Sequence, residues 1–170
     1  MNVIFIGPPG SGKTSVGQIL AVRTGRRFFD TDLLIEKNCG NSVAQIFSSH
    51  GEAYFRQLES NLLEEIAQNQ WTEVILATGG GIVVTPGNIE RLAAIGQVVC
   101  LLADPSCLAD RLGSDQSRPL LQSGDHEGKV KRLSNLIESR MPFYLRAMYT
   151  IETGQLTPEE VAKKVEELLL

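Results

Sequence analysis

The stretch VIFIGPPGSGKTSVGQIL, residues 3–20, gives the strongest indication of fold in this chain of 170 residues. Residues 3–6 form a continuous apolar run that ends at a glycine, which is typical of a short strand buried on both faces. Residues 12–24 predict a helix with Val16, Ile19 and Leu20 on one apolar face. The stretch therefore predicts a buried strand that passes through a glycine-rich turn directly into a helix.

The rest of the chain continues this alternation of strands and helices. Further strands are predicted at residues 28–30, 74–77, 98–102 and 149–152. Helices are predicted at residues 33–37, 43–48, 52–68, 86–94, 105–112, 129–146 and 158–169, with a kink or interruption near Pro142. Residues 114–128 are polar and predict a mobile loop. The alternation predicts an α/β fold, with a parallel sheet covered by helices on both faces and a single domain over residues 1–170.

The composition excludes several classes of protein. A hydrophobic fraction of 42% is that of an ordinary globular protein, and a net charge of −4 argues against binding of nucleic acid through a broad basic face. The apolar run before Gly7 is too short for a signal or membrane segment, so we expect a cytoplasmic protein. Cys39, Cys100 and Cys107 have no CxxC spacing and predict reduced thiols without a zinc site.

The segment GPPGSGKT, residues 7–14, matches the phosphate-binding pattern GxxxxGK[ST] in full. Its glycines bring several backbone N–H groups to face one anion, and the helix that follows points its positive end at the same place. Lys13 can reach the β- and γ-phosphates, and the Thr14 hydroxyl can ligate Mg²⁺. A chance glycine-rich turn is the alternative, but the motif lies between a buried strand and an amphipathic helix, as a phosphate-binding loop does. The predicted ATP-binding residues of this loop are Gly10, Ser11, Gly12, Lys13, Thr14 and Ser15.

Two further features follow the ends of predicted strands, where an open parallel sheet binds its ligands. Asp30 and Asp32 follow the second strand, and one could hold Mg²⁺ while the other accepts a hydrogen bond from an attacking hydroxyl. The alternative is a solvated turn in which Asp32 caps the next helix. Gly79, Gly80 and Gly81 follow the third strand, which indicates close approach of a ligand, a tight turn, or both.

Three arginines lie where their charge calls for an explanation. Arg140 falls on the apolar stripe of its helix, so either an internal carboxylate meets it or it lines a cavity and meets an anionic ligand. Arg56 lies beside an apolar stripe, with Glu59 as a local partner at i+3. Arg118, in a polar loop, could close over ATP and bring positive charge to the transition state. A surface salt bridge is the alternative for each.

The order and spacing of six segments resemble the shikimate kinase family, part of the nucleoside-monophosphate-kinase-like group of P-loop proteins. The matching segments are GPPGSGKT at 7–14, DTD at 30–32, FRQLE at 55–59, GGG at 79–81, RPLL at 118–121 and RMPFY at 140–144. The resemblance implies a P-loop kinase fold with sheet order 2-3-1-4-5, a substrate-binding region at about residues 32–60 and a mobile lid at about residues 113–128. It implies ATP-dependent phosphorylation of the 3-hydroxyl of shikimate, a step in chorismate and aromatic amino-acid biosynthesis. Apart from the resemblance, we expect a monomer that binds neither nucleic acid nor membrane.

The same resemblance implies roles for individual residues. Arg56 and Arg140 would hold the shikimate carboxylate with the backbone of Gly80 assisting, and Gly79 and Gly81 would also bind the substrate. Asp32 would bind the ring hydroxyls and orient or deprotonate the 3-hydroxyl, while Thr14 and Asp30 would serve Mg²⁺. The implied catalytic residues are Lys13, Asp32 and Arg118; Arg118 would also touch phosphate, and Arg111 would stack near adenine.

Other functions are compatible with parts of this pattern. A kinase for another small hydroxy acid such as gluconate, or for a nucleoside monophosphate, shares the phosphate-binding loop. A paired-arginine clamp favours a hydroxy acid over a nucleotide. A nucleotide-dependent switch that hydrolyses ATP slowly would leave the acidic pair and the inward Arg140 without a purpose.

Overall fold

The computed structural model describes residues 1–113 and 125–169, which form a five-stranded parallel sheet. The strands are β1 Val3–Ile6, β2 Arg27–Asp30, β3 Val74–Ala77, β4 Gln97–Leu102 and β5 Tyr149–Glu152. Their order across the sheet is β2-β3-β1-β4-β5, and each neighbouring pair runs parallel. The predicted α/β class and the sheet order 2-3-1-4-5 are confirmed.

Helices connect the strands and cover the sheet. They are α1 Lys13–Thr24, α2 Thr31–Cys39, α3 Val43–Gln68, α4 Asn88–Ile95, α5 Pro105–Leu112, α6 His126–Tyr144 and α7 Pro158–Leu169. A 3-10 turn, Ile82–Val84, follows β3. Within α3 the backbone of Gly51 is not helical, with φ at 81° and ψ at 173°, so the two helical segments predicted on either side of it are confirmed.

Several predicted boundaries are wrong. Helix α2 spans Thr31–Cys39 rather than residues 33–37, because the Asp30 carboxylate caps its first turn. Helix α6 begins at His126 rather than at residue 129, because the Asp125 carboxylate accepts a hydrogen bond from the Gly128 N–H and caps the first turn. It continues through Pro142 without the predicted interruption and ends at Tyr144. Helix α4 begins after Gly87 rather than at Pro86. Of the predicted loop 114–128, residues 126–128 are helical, and residues 114–124 lie outside the described residues.

Successive side chains of a strand point to opposite faces of the sheet, and in the central strands β3, β1 and β4 nearly all of them are buried. On one face Ile4 packs in a cluster with Leu63 of α3, and on the other Phe5 packs in a cluster with Leu20 of α1 and Val165 of α7. All four residues of β1 are fully buried, as the continuous apolar run predicts. The predicted covering of both faces by helices is confirmed.

The carboxyl ends of the strands meet at one edge of the sheet. Gly7 follows β1, Asp30 ends β2, Thr78 follows β3 and Thr153 follows β5. Parallel pairing places Asp30 opposite Ala77, next to the start of the glycine triplet. Residues that are far apart in the sequence therefore line the same edge.

Two expectations drawn from composition concern cysteine and membrane segments. The three cysteines are free thiols, and burial raises the pKa of the Cys100 thiol to about 12. Within residues 1–113 and 125–169, no helix combines the length and the apolar character that crossing a membrane requires.

Candidate active site

The loop between β1 and α1 has a backbone that favours glycine at several positions. Gly7, Gly10 and Gly12 have φ values of 139°, 79° and 94°, which residues with a side chain rarely adopt. A Cβ atom on Gly7 would lie 2.2 Å from the carbonyl oxygen of Leu101, so β4 leaves no room for a side chain there. No side chain caps the start of α1, so its first N–H groups and the positive end of its dipole are available to an anion held by the loop.

Lys13 is buried within this loop, with 7% of its surface exposed. Its Nζ donates hydrogen bonds to the carbonyl oxygens of Gly7, at 2.9 Å, and Pro8, at 2.8 Å. The ammonium group therefore holds the loop in shape and adds a positive charge to the cavity that the loop lines.

This first cavity has a volume of about 440 Å³, within the range of small-molecule sites. The predicted ATP-binding residues that line it are Gly10, Ser11, Gly12, Lys13, Thr14, Ser15 and Arg111. The remaining one, Arg118, lies outside the described residues, as do the RPLL segment and most of the predicted lid.

Arg111 is held in place by Thr153, which is not among the predicted site residues. Its guanidinium donates to the side-chain oxygen of Thr153 at 2.9 Å and to the carbonyl oxygen of Thr153 at 2.6 Å. The buried Thr153 hydroxyl in turn donates to Leu102 O at 3.0 Å. The sequence signal for Thr153 is weak, because its partner Arg111 is 42 residues away and residues 153–155 resemble the adenine-side segment of the family only loosely.

Thr14 and Asp30 place a hydroxyl and a carboxylate at the same cavity. The Thr14 hydroxyl donates to Asp30 Oδ2 at 2.9 Å, while Asp30 Oδ1 caps α2 by accepting from the N–H groups of Asp32 and Leu33. The capping residue is thus Asp30, not Asp32 as the alternative interpretation held.

Among the described residues there is no cluster of three or more His, Cys, Asp or Glu side chains able to hold a metal. One carboxylate and one hydroxyl nevertheless fit Mg²⁺, which usually keeps several waters and takes further oxygens from nucleotide phosphates.

A second cavity, also of about 440 Å³, lies next to the first. It is lined by the predicted substrate-binding residues Asp32, Arg56, Gly79, Gly80, Gly81 and Arg140. The two cavities share Thr14, Asp30 and Asp32. A phosphate held in the first cavity and a hydroxyl held in the second would therefore meet at this shared wall.

The glycine triplet, residues 79–81, is packed directly against charged side chains. A Cβ atom would lie 2.6 Å from Asp32 Oδ1 if placed on Gly79, and 2.4 Å from Arg56 Nη2 if placed on Gly81. A Cβ on Gly80 would lie 3.1 Å from Pro9 Cδ in the phosphate-binding loop. The triplet is thus free of side chains because the walls of both cavities approach its backbone.

Arg140 faces inward and lines the second cavity, as its place on the apolar stripe predicts. Its Nη1 donates to the carbonyl oxygen of Gly80 at 2.9 Å. Within the described part of the chain no carboxylate lies within ion-pair distance of Arg140. Arg140 therefore contacts a neutral carbonyl, and an anion could reach its guanidinium from the cavity.

Arg56 is paired instead with acidic residues of its own helix. It donates to Glu59 at 2.7 Å, the predicted local partner, and to Glu52 at 2.8 Å. Burial lowers the pKa of Arg56, but the charges and hydrogen bonds of these two carboxylates together raise it. The guanidinium stays charged at the edge of the second cavity.

Glu59 belongs to the site, although sequence reasoning assigned it only as a partner for Arg56. Its side chain is completely buried, and Oε1 accepts no hydrogen bond from the described residues. Burial outweighs the attraction of Arg56, and with the nearby Asp32 carboxylate it raises the pKa of Glu59 to about 7. The carboxyl therefore titrates near neutral pH.

This raised pKa predicts a pH dependence of stability that Glu59→Gln removes. Between pH 4.5, the ordinary pKa of the group, and about pH 7, the folded chain binds more protons than the unfolded chain. The free energy of unfolding therefore falls as pH rises across this window, by at most about 3 kcal/mol. We expect urea unfolding at several pH values to show this loss in the wild type and not in Glu59→Gln.

Glu52→Gln is the matched control, because Glu52 also pairs with Arg56 but is exposed. It should keep the wild-type pH dependence. If the wild type and Glu59→Gln lose stability equally between pH 4.5 and pH 7, the assignment of the raised pKa to Glu59 is wrong.

Comparison with known proteins shows that the chain is similar to members of one enzyme family. The family model described as Shikimate kinase matches residues 9–170. The shikimate kinase of Thermodesulfovibrio yellowstonii is 40% identical over 164 residues, covering 96% of this chain and 92% of that protein. That of Caldanaerobacter subterraneus subsp. tengcongensis is 42% identical over 164 residues, covering 96% and 93%. The solved structure of shikimate kinase from Acinetobacter baumannii in complex with shikimate is similar at a TM-score of 0.91 and 38% identity, covering 99% of this chain and 92% of that one.

Proposed function

Because the chain belongs to the shikimate kinase family, we infer that it transfers the γ-phosphoryl group of ATP to the 3-hydroxyl of shikimate. The product is shikimate 3-phosphate, and the reaction is a step in chorismate and aromatic amino-acid biosynthesis. The observation that carries this function is the shared wall of the two cavities. One cavity is built around a phosphate-binding loop, the other holds two arginines, and Asp32 lines both.

The first cavity binds ATP through the backbone of its glycine-rich loop. The N–H groups at the start of α1 and the Lys13 ammonium supply positive charge for the phosphates. We propose that Arg111, fixed by Thr153, lies beside the adenine, and that Arg118 adds a second positive charge to the transferred phosphoryl group. Transfer is then mainly a matter of positioning and of neutralising charge.

The second cavity binds the acceptor through its carboxylate. We propose that Arg56 and Arg140 hold that carboxylate together with the backbone of Gly80. Asp32, on the wall between the cavities, accepts a hydrogen bond from the 3-hydroxyl and so directs its oxygen toward the γ-phosphorus. The proton of that hydroxyl passes to Asp32 as the new P–O bond forms and the bond to ADP breaks.

Thr14 and Asp30 are the residues that would hold Mg²⁺ in this site. The ion would neutralise negative charge on the β- and γ-phosphates when bound. Asp30 also caps α2, so its position is set by the backbone of the helix that carries Asp32.

The remaining proposals concern the state of the protein in the cell. We propose a cytoplasmic monomer, with a single domain over residues 1–170, that acts on ATP and shikimate and binds neither nucleic acid nor membrane. The net charge of −4 supports this, because it disfavours phosphate backbones and anionic lipid surfaces. Light scattering coupled to gel filtration would test the monomer, since a mass of twice 18.6 kDa contradicts it.

The experiment that tests the proposed function is ADP release measured against a panel of acceptors. Shikimate, gluconate and a nucleoside monophosphate are compared at equal concentration with ATP and Mg²⁺. We expect strong stimulation by shikimate only. Stimulation by gluconate or the nucleotide instead would assign another kinase, and slow ADP release that no acceptor changes would indicate a nucleotide-dependent switch.

Replacing Arg140 with alanine is predicted to weaken shikimate binding selectively. Loss of a charged hydrogen-bond donor to a carboxylate should raise the KM for shikimate by about 10- to 100-fold. The KM for ATP should change little, because Arg140 does not line the first cavity. Steady-state kinetics with each substrate varied in turn measure both values.

Arg146→Ala provides the control for Arg140→Ala. Arg146 lies just beyond α6 and pairs on the surface with Glu90. It should leave both KM values as in the wild type. Equal increases of the two KM values in Arg140→Ala would contradict the carboxylate clamp.

A further inference from the structure

Two buried hydroxyl groups contact the backbone of the glycine triplet, one from α2 and one from α6. The Thr31 hydroxyl accepts a hydrogen bond from the Gly79 N–H at 3.0 Å. The Tyr144 hydroxyl donates to the carbonyl oxygen of Gly80 at 3.1 Å. Both side chains are completely buried, and neither lines the second cavity. They reach the substrate site only through the triplet.

The carbonyl oxygen of Gly80 has two donors that differ in kind. One is Tyr144, and the other is Arg140, one helical turn earlier on the same face of α6. Arg140 lines the cavity, whereas burial raises the pKa of Tyr144 to about 12, so its hydroxyl keeps its proton and remains a donor. If Arg140 turns to an anion, Tyr144 can still satisfy the buried carbonyl.

The triplet is thereby held at successive peptide groups. Thr31 fixes the N–H of Gly79, the Ile82 N–H donates to Gly79 O at 3.2 Å, and Tyr144 fixes Gly80 O. A trans peptide is planar, so the direction of Gly80 O also sets the direction of the Gly81 N–H. The backbone amides that line the second cavity therefore depend on these two hydroxyls for their orientation.

We propose that Thr31 and Tyr144 are positioning residues: they hold the glycine triplet so that Arg140 can leave the Gly80 carbonyl for the substrate carboxylate while that carbonyl stays hydrogen-bonded. This proposal rests on the proposed function, in which shikimate occupies the second cavity. It gives a purpose to the middle residue of the DTD segment and to the tyrosine of the RMPFY segment, whose hydroxyls the reaction itself does not use.

The test is Tyr144→Phe, which removes one oxygen atom and keeps the ring. We expect the KM for shikimate to rise by about tenfold, because binding Arg140 to the substrate then leaves a buried carbonyl without a donor. The KM for ATP should stay as in the wild type. In ¹⁵N-labelled protein without ligand, the amide chemical shift of Gly81 should also differ between Tyr144→Phe and the wild type. A loss of stability that leaves the triplet unchanged would not cause this difference.

A pair of variants at Thr31 gives an independent test if Tyr144→Phe does not fold. Thr31→Val removes the hydroxyl and keeps the shape, whereas Thr31→Ser keeps the hydroxyl. We expect Thr31→Val to raise the KM for shikimate and Thr31→Ser to restore the wild-type value. Controls are Tyr149→Phe in β5 and Thr24→Val, whose hydroxyl donates to Leu20 O far from the site; both should leave the kinetics unchanged.

The outcomes separate this inference from the proposed function. A wild-type enzyme that shikimate does not stimulate would refute the function itself. A shikimate-stimulated wild type in which Tyr144→Phe and Thr31→Val keep the normal KM for shikimate overturns only the positioning role. Equal increases in both KM values, or failure of Thr31→Ser to restore activity, also overturn it.

Discussion

Lys13→Ala is expected to lower the kcat of shikimate-dependent ADP release by about 10²- to 10³-fold, as removal of one positioned donor to developing charge does in other enzymes. Lys13 supplies a buried positive charge to the phosphate-binding cavity and lies at the start of α1, where the helix dipole adds to it. The Lys13 charge matters most in the transition state, where negative charge develops on the departing ADP. We therefore expect kcat to fall more than the affinity for ATP.

The same ammonium also holds the loop through Gly7 and Pro8, so the fold of the variant has to be measured. Circular dichroism and thermal unfolding should show a folded chain with a modestly lower Tm. Lys163→Ala, which removes an exposed lysine of α7, is the control and should turn over normally. Near-normal kcat in folded Lys13→Ala would refute the catalytic role of the loop.

Asp32→Asn is expected to lower kcat by about 10²- to 10⁴-fold, the range that a positioned general base contributes. Asparagine keeps the size of the side chain and one oxygen acceptor but cannot take up the proton of the 3-hydroxyl. Asp32 lies on the wall shared by both cavities, so no other described carboxylate except Asp30 has the same access to both substrates. Single-turnover kinetics at saturating shikimate isolate this step from binding.

Asp104→Asn is the matched control, because Asp104 also follows a strand of the sheet but is exposed and lies outside both cavities. It should react at the wild-type rate. If Asp32→Asn raises the KM for shikimate and leaves kcat unchanged, Asp32 binds the substrate without activating its hydroxyl, and the base assignment is wrong.

Most elements of the fold could be predicted from local patterns. The bounds of β1, β3, β5, α5 and α7 agree with the sequence analysis, because continuous apolar runs and helical periodicity are local signals that burial imposes on the chain. The start of α6 could not be predicted in the same way. Its cap at Asp125 lies in a polar segment where apolar periodicity gives no warning of a helix.

The sheet order was available only through resemblance to a known family. Spacing along one chain does not say which strands pair, and β1 pairs with β3 and β4 rather than with β2, its neighbour in sequence. Pairing depends on how helices pack over each face, which local periodicity does not encode. The same limit explains why Thr153 and Glu59 were not assigned to the site.

The phosphate-binding loop could be predicted from the sequence alone, because every requirement of that motif is local: a strand, a glycine-rich turn and a helix N-terminus within residues 3–20. The sequence also indicated an inward Arg140, since a charge on an apolar stripe needs an anion. The structure was needed to show that Arg140 contacts Gly80, sixty residues away, and shares that carbonyl with Tyr144. Only the structure joined the two cavities at Thr14, Asp30 and Asp32, because contacts between distant segments arise when the sheet brings its strand ends to one edge.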